Sequence, residues 1–201
     1  MALLSGRVLS KGDTPASYAN IANIITVVRI LLAPVFVWLL LADDGSFGPL
    51  RFVAAGLFIF AIVTDSLDGY LARSRNLVTN LGVLLDPIAD KVLIGGGLVG
   101  LAILGELWRW VAIVILVREF GITVFRFIAL RDRVIPASRG GKAKTWVQAI
   151  AVSLFLVPTW LMLGEWVLWL NYAVMGLALA LTVYSGIDYL VKAWRLGRVA
   201  S

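Results

Sequence analysis

Hydrophobic residues fall along the chain in six blocks, each near the ~20 residues that a helix needs to cross the hydrocarbon of a bilayer. The blocks cover residues 22–42, 51–72, 82–104, 110–130, 145–163 and 168–191. Breaks between them carry turn and interface signals: Asp43-Asp44-Gly45, the polar run 73–80, Gly105-Glu106, the run 131–144 and Gly164-Glu165. No unit of about 20–50 residues repeats. The pattern predicts an all-α integral membrane protein with six transmembrane helices. A short amphipathic stretch around residues 15–21 is suited to lie along the interface as an extra helix. The expected organisation is an N-terminal segment at 1–21, a six-helix transmembrane domain at 22–191 and a basic tail at 192–201.

Composition strengthens this reading, because 61% of the 201 residues are hydrophobic and the mean hydropathy is +0.94. A water-soluble domain of this size could not bury so much apolar surface. The N-terminal residues lack an apolar run ending in a small-residue cleavage site, so the first span is expected to serve as the targeting signal.

Charge then supplies orientation. Lys and Arg number 18 against 12 Asp and Glu, a net +6. In a membrane protein such an excess reports topology and anionic headgroups rather than nucleic acid. Arg7, Lys11, Arg73, Arg75, Arg131, Arg133, Arg139, Lys142, Lys144, Lys192, Arg195 and Arg198 fall on one side, against Arg51 and Arg109 on the other. Both termini are therefore expected in the cytosol. With no Cys and no His, thiol chemistry, thiolate metal sites and phosphohistidine intermediates are excluded. Any reaction must run on carboxylates, Lys, Arg and hydroxyls.

Arg29, Lys91, Arg118, Arg126, Asp65, Asp68, Asp86, Asp90, Glu119 and Asp188 lie inside the expected spans. An ionisable group at that depth costs roughly 2.5 kcal/mol or more, which makes each a functional candidate. Four of the acids are regularly spaced. Asp65 and Asp68 stand at i and i+3 on one helix face, with Gly69 and Ala72 extending a strip of small residues; Asp86 and Asp90 stand at i and i+4 on the next helix. In an antiparallel hairpin centred near Leu77, Asp68 and Asp86 each lie nine residues from the turn, Asp65 twelve and Asp90 thirteen. The four carboxylates should meet at one depth. Such a cluster is either largely protonated or surrounds cations. Oxygen donors without His or Cys favour Mg²⁺, Mn²⁺ or Ca²⁺ over zinc.

The segment Asp65-x2-Asp68-Gly69-x2-Ala72-Arg73-x8-Gly82-x3-Asp86-x3-Asp90 resembles the complete signature of the CDP-alcohol phosphatidyltransferase family, with eight specified residues in 26 positions. Asn23-x2-Thr26-x2-Arg29, Arg118-Glu119 and Gly141-Lys142-x-Lys144-Thr145 further resemble the bacterial branch that uses glycerol 3-phosphate as acceptor. One departure is Ala22, where the pattern carries Pro. The resemblance implies Mg²⁺ or Mn²⁺, two ions, held by Asp65, Asp68 and Asp86, with Asp90 as the base and a further contact to metal. It implies CDP binding by Asn23, Thr26, Arg29, Asp68, Gly69, Ala72, Arg73 and Gly82. It also implies a homodimer in the bacterial inner membrane with its active site facing the cytosol.

The basic set Arg118, Arg139, Lys142 and Lys144 exceeds what a diphosphate and its metals require, and is the candidate acceptor-phosphate site. Plainer readings stand beside these. Arg118 could pair with Glu119 or Asp188, although neighbours in sequence do not face each other on a helix. Arg126 could snorkel. The basic residues after 138 could simply anchor the cytosolic side. Ser138-Arg139-Gly140-Gly141-Lys142-Ala143-Lys144-Thr145 lacks the spacing and preceding strand of a phosphate loop, which rejects a nucleoside triphosphatase. Gly95, Gly96, Gly97 and Gly100 read as tight helix packing, and the eight Trp as interfacial anchors.

The leading expectation is transfer of phosphatidyl from CDP-diacylglycerol to sn-glycerol 3-phosphate, giving phosphatidylglycerophosphate and CMP by metal-assisted direct displacement. Inositol phosphate, phosphatidylglycerol or serine as acceptor would keep the same chemistry. A cation or proton transporter is the alternative of another class, disfavoured by the lack of recognisable inverted repeats. Intramembrane prenyltransferases also use Asp-rich motifs, but spaced differently on a longer bundle.

Overall fold

The computed structural model describes residues 21–74, 80–129 and 139–198, and within them the side chains of 24–66, 85, 88–125 and 144–194. All the elements formed there are helices: α1 (Ile21–Ala42), α2 (Pro49–Ser74), α3 (Asn80–Ile103), α4 (Arg109–Ala129), α5 (Arg139–Leu156), α6 (Trp160–Leu163) and α7 (Trp166–Arg198). Six are long and follow the six apolar blocks in order. Among the described residues three segments are long and apolar enough to cross a membrane: Ile24–Ala42, Pro49–Ser66 and Trp166–Trp194. Large apolar side chains such as Trp38, Phe60, Val117, Trp169 and Tyr184 stay exposed on the outside. That much exposed apolar surface belongs in lipid, and the chain is a membrane protein.

Local chemistry explains the helix ends. Buried Asp43 organises the first connection: its carboxylate accepts from Ser46 Oγ at 3.1 Å and from the backbone N–H groups of Phe47 and Gly48, each at 2.9 Å. Pro49 then opens α2, where its missing N–H costs nothing. After α3, Gly105 takes a φ of +75°, and the Glu106 N–H reaches back to the Leu101 carbonyl at 3.0 Å. This is a glycine C-cap of the Schellman kind.

The fifth span differs from expectation at both ends. The block 145–163 is not one helix, since α5 stops at Leu156 and a separate short turn, α6, follows. Pro158 is the cause: it has no N–H to give Leu154 and its ring clashes with a continuing helix. The carbonyls this exposes are taken by other helices. Asn171 Nδ2 donates to Leu154 O at 3.0 Å, Arg51 Nε to Leu156 O at 2.9 Å and Arg51 Nη2 to Phe155 O at 2.8 Å. At its other end α5 begins at Arg139, so Arg139, Lys142 and Lys144 lie on a helix rather than in the expected loop.

The helix α1 lies against both α2 and α3, α5 against α7, and α4 against α3 and α7. Phe36, Leu40, Phe58, Leu93, Ile115 and Val152 are fully buried among them. Close approach centres on the glycines of α3. A Cβ on Gly97 would sit 2.7 Å from Val152 of α5, and one on Gly96 or Gly100 would sit 2.7 Å from Val37 or Leu40 of α1. The packing role expected of these glycines holds.

Polar groups gather at the two ends of the bundle. At one end, where α1 leads into α2 and α3 into α4, buried Arg51 pairs with Glu106 through both guanidinium branches. Arg29, Asp65, Asp90, Glu119 and Lys144 lie toward the other end, where α1 begins and α7 ends.

Candidate active site

Three ionisable groups on α1, α2 and α3 form one side of this second cluster. Thr26 and Arg29 stand one turn apart on the same face of α1, both buried. The Arg29 guanidinium donates to the Asp65 carboxylate on α2, with Arg29 3% and Asp65 41% exposed. Arg29 thus offsets the charge of Asp65, whose side chain remains partly exposed. Half-buried Asp90 on α3 lies in the electrostatic field of Asp65, Lys91, Glu119 and Lys144. Asp65 is thus near enough to Asp90 to act on its charge.

The other side comes from α4, α5 and α7. Glu119 Oε1 accepts from Arg118 Nη1 at 2.9 Å and also from Lys144 Nζ. The second branch of Arg118 donates to Ser185 Oγ on α7 at 2.8 Å. Ser185 donates in turn to Thr182 O, and Gln148 Nε2 donates to Thr182 Oγ1 at 2.7 Å. These polar residues inside apolar helices satisfy one another, as burial demands. Between the two sides lies a cleft of about 10 Å³ walled by Asp90, Lys91, Gly95, Glu119 and Gln148. It is near the lower bound for one water.

Arg118 pairs with Glu119 although the two are adjacent in sequence. The rule against adjacent pairs concerns Cβ directions; a long guanidinium arm bends round to a carboxylate that Lys144 also engages. Asp188, the other expected partner, bonds Lys192 one turn along α7 at 2.6 Å. The side chains of Asn23, Asp68, Gly69, Ala72, Arg73, Gly82, Asp86, Arg126, Arg139 and Lys142 lie outside the described residues. Among the described residues no three acidic side chains gather as a metal-holding set.

Two features were missed in the sequence. Glu119 was expected as an intramembrane acid, as part of the Arg118-Glu119 motif and as one possible partner of Arg118, but its bridging of Arg118 to Lys144 depends on how α4 and α5 pack. Ser185, Thr182 and Gln148 were polar residues in apolar blocks, a signal that marks buried networks.

Comparison with known proteins adds an independent line. The sequence profile of the family described as CDP-alcohol phosphatidyltransferase matches residues 19–184. A Mycobacterium tuberculosis protein named probable phosphatidylglycerophosphate synthase is 46% identical over 180 residues, 90% of this chain and 84% of the relative. A Bacillus subtilis CDP-diacylglycerol–glycerol-3-phosphate 3-phosphatidyltransferase is 40% identical over 187 residues, 87% of this chain and 95% of the relative. The Pseudomonas fluorescens protein of that name is 38% identical over 184 residues, 87% and 90% of the two chains.

Proposed function

We propose that this chain, which belongs to the CDP-alcohol phosphatidyltransferase family, transfers phosphatidyl from CDP-diacylglycerol to sn-glycerol 3-phosphate, giving phosphatidylglycerophosphate and CMP. The relatives' names support this substrate pair. The observation that supports it is that Asp65, Glu119 and Lys144 all act electrostatically on Asp90, with Glu119 pairing both Lys144 and Arg118.

The donor set fits a hard divalent cation. Asp65 is a partly exposed carboxylate, the signature supplies Asp68 and Asp86 nearby in sequence, and no His or Cys competes. Asp65, Asp68, Asp86 and Asp90 would hold two Mg²⁺ or Mn²⁺ ions, whose chemistry when bound is to polarise phosphoryl oxygens and stabilise the departing nucleotide.

The chain's own residues do the rest. Thr26 and Arg29 give α1 a polar edge beside Asp65 for the nucleotide, and Asn23, one turn earlier in sequence, would extend it. Gly69, Ala72, Arg73 and Gly82, assigned by the family signature, would complete the nucleotide site. Asp90 takes the proton from the acceptor hydroxyl as its oxygen attacks the diacylglycerol-bearing phosphorus; the bond to the CMP oxygen breaks and CMP leaves with the electron pair. Arg118, Lys144, Arg139 and Lys142 hold the acceptor's phosphate so that its hydroxyl lies near Asp90. In this reading six helices span the bacterial inner membrane as a homodimer, both termini and the site face the cytosol, and the basic residues bias that side.

The test is an acceptor panel. Purified protein with CDP-diacylglycerol and Mg²⁺ should release CMP with glycerol 3-phosphate and form phosphatidylglycerophosphate. Preference for inositol phosphate would keep the chemistry and change the acceptor. Preference for inositol or serine would remove the acceptor-phosphate site, and no CMP release with any acceptor would favour the transporter.

A further inference from the structure

Glu119 belongs to neither the four-aspartate signature nor the cationic set, yet it sits between them. Its Oε1 is the shared acceptor for Arg118 of α4 and Lys144 of α5. The three side chains are only 17%, 18% and 6% exposed for Arg118, Glu119 and Lys144. At that burial solvent screens charge weakly. Without the carboxylate, the Arg118 guanidinium and the Lys144 ammonium on neighbouring helices would repel and turn apart. The second branch of Arg118 is held by Ser185, and α7 lets the arm pass because residue 186 is Gly: a Cβ there would lie 3.1 Å from Arg118 Cγ and 3.3 Å from its Nε.

Donor capacity exceeds what these partners use. Arg118 offers five N–H donors and Lys144 three. The bonds to Glu119 and Ser185 engage two of the first, the Glu119 bond one of the second, and Arg118 Nε has no partner. Two cations and one anion leave the trio at +1, before Arg139 and Lys142 of the same helix end are counted. The carboxylate also repels an incoming anion from its own side, which restricts where a phosphate can sit.

We infer that Glu119 is a positioning residue that holds Arg118 and Lys144 convergent on the phosphate of the acceptor, with Ser185 and Gly186 of α7 fixing the far side of the guanidinium. This rests on the acceptor reading given above. Glu119 touches neither reacting atom; it acts through the two cations.

The experiment measures steady-state kinetics on the full chain in phospholipid–detergent micelles for the wild type, Glu119→Ala, Glu119→Gln and Ser185→Ala. Glycerol 3-phosphate and CDP-diacylglycerol are varied separately, and inorganic phosphate is added as a competitive probe. Glu119→Ala should raise the KM for glycerol 3-phosphate and the inhibition constant of phosphate together by about tenfold, the scale of one charge-assisted hydrogen bond. The KM for CDP-diacylglycerol and kcat should stay within about twofold, because this site is saturated without the acceptor. Glu119→Gln keeps a carbonyl acceptor between the cations and should recover part of the loss. Ser185→Ala should raise the acceptor KM about threefold, the smaller cost of a neutral partner. Both milder variants decide the matter if Glu119→Ala does not fold. An acceptor KM that is unchanged or falls, which would make Glu119 a competitor to be displaced, overturns the inference, as does equal weakening of both substrates. Wild-type preference for an uncharged alcohol would overturn the acceptor reading and this inference together; a phosphate-preferring wild type with insensitive variants overturns this inference alone.

Discussion

Replacing Arg51 by Met should be the most destabilising single change at the end of the bundle away from the site. Arg51 is fully buried, and its guanidinium satisfies both Glu106 oxygens together with the Phe155 and Leu156 carbonyls at the end of α5. Met fills much of the volume but leaves Glu106, 14% exposed, without its counter-charge and two helix-end carbonyls without donors. Breaking a buried pair from one side costs about 3–5 kcal/mol. For a chain of this length that lowers the melting temperature by on the order of 10 °C. The double variant Arg51→Met with Glu106→Leu removes the stranded charge and should lose only about 1–3 kcal/mol, the orphaned carbonyls remaining. A double-mutant cycle in micelles, read by tryptophan fluorescence on heating, isolates the coupling. Turnover per folded molecule should be unchanged, since the pair is remote from Asp90. A single-variant cost below about 1 kcal/mol, or a double variant as unstable as the two singles summed, would refute the staple.

Three further outcomes concern the site. Asp65→Asn, Asp68→Asn and Asp86→Asn should each lower kcat by at least about 100-fold at ordinary metal concentration, beyond the 10–100-fold typical of losing a ligand's supporting partner. Near-normal activity of all three at saturating Mg²⁺ would remove the metal assignment. Asp90→Asn should lower kcat by about 10²–10⁴-fold, the range of a positioned base, while sparing CDP-diacylglycerol binding; if equilibrium binding of the nucleotide lipid collapses equally, Asp90 serves mainly as a ligand. Arg118→Ala and Lys142→Ala should raise the acceptor KM about tenfold or more with that for CDP-diacylglycerol nearly constant, and parallel increases would misplace the phosphate site.

Helix existence was legible because apolar blocks of membrane length leave few alternatives. The first block, 22–42, differs from α1 by one residue, and 110–130 is shifted by one against α4. Misjudged boundaries had local physical causes. Pro158 was hidden inside an apolar run, and apolarity outweighed the missing N–H that ends α5. Gly140 and Gly141 resemble a turn, yet the chain is helical from Arg139, where helix closure on the following residues outweighs glycine's flexibility. The face that Asp65 and Asp90 would share with other acids was legible as an expectation, because i+3 and i+4 spacings need no knowledge of the neighbours; the side chains of their partners Asp68 and Asp86 lie outside the described residues. Pairing was not. Arg29 with Asp65, Lys144 with Glu119 and Arg51 with Glu106 each join residues distant in sequence, and only helix packing brings them together.

The most direct test of the whole account follows both halves of the reaction in one vessel. Purified protein receives CDP-diacylglycerol, Mg²⁺ and carbon-labelled glycerol 3-phosphate, and CMP is measured beside label in the lipid extract. The account predicts equal molar amounts of CMP and labelled phosphatidylglycerophosphate, with neither formed when the acceptor is left out. CMP released without label entering lipid would contradict direct transfer to glycerol 3-phosphate.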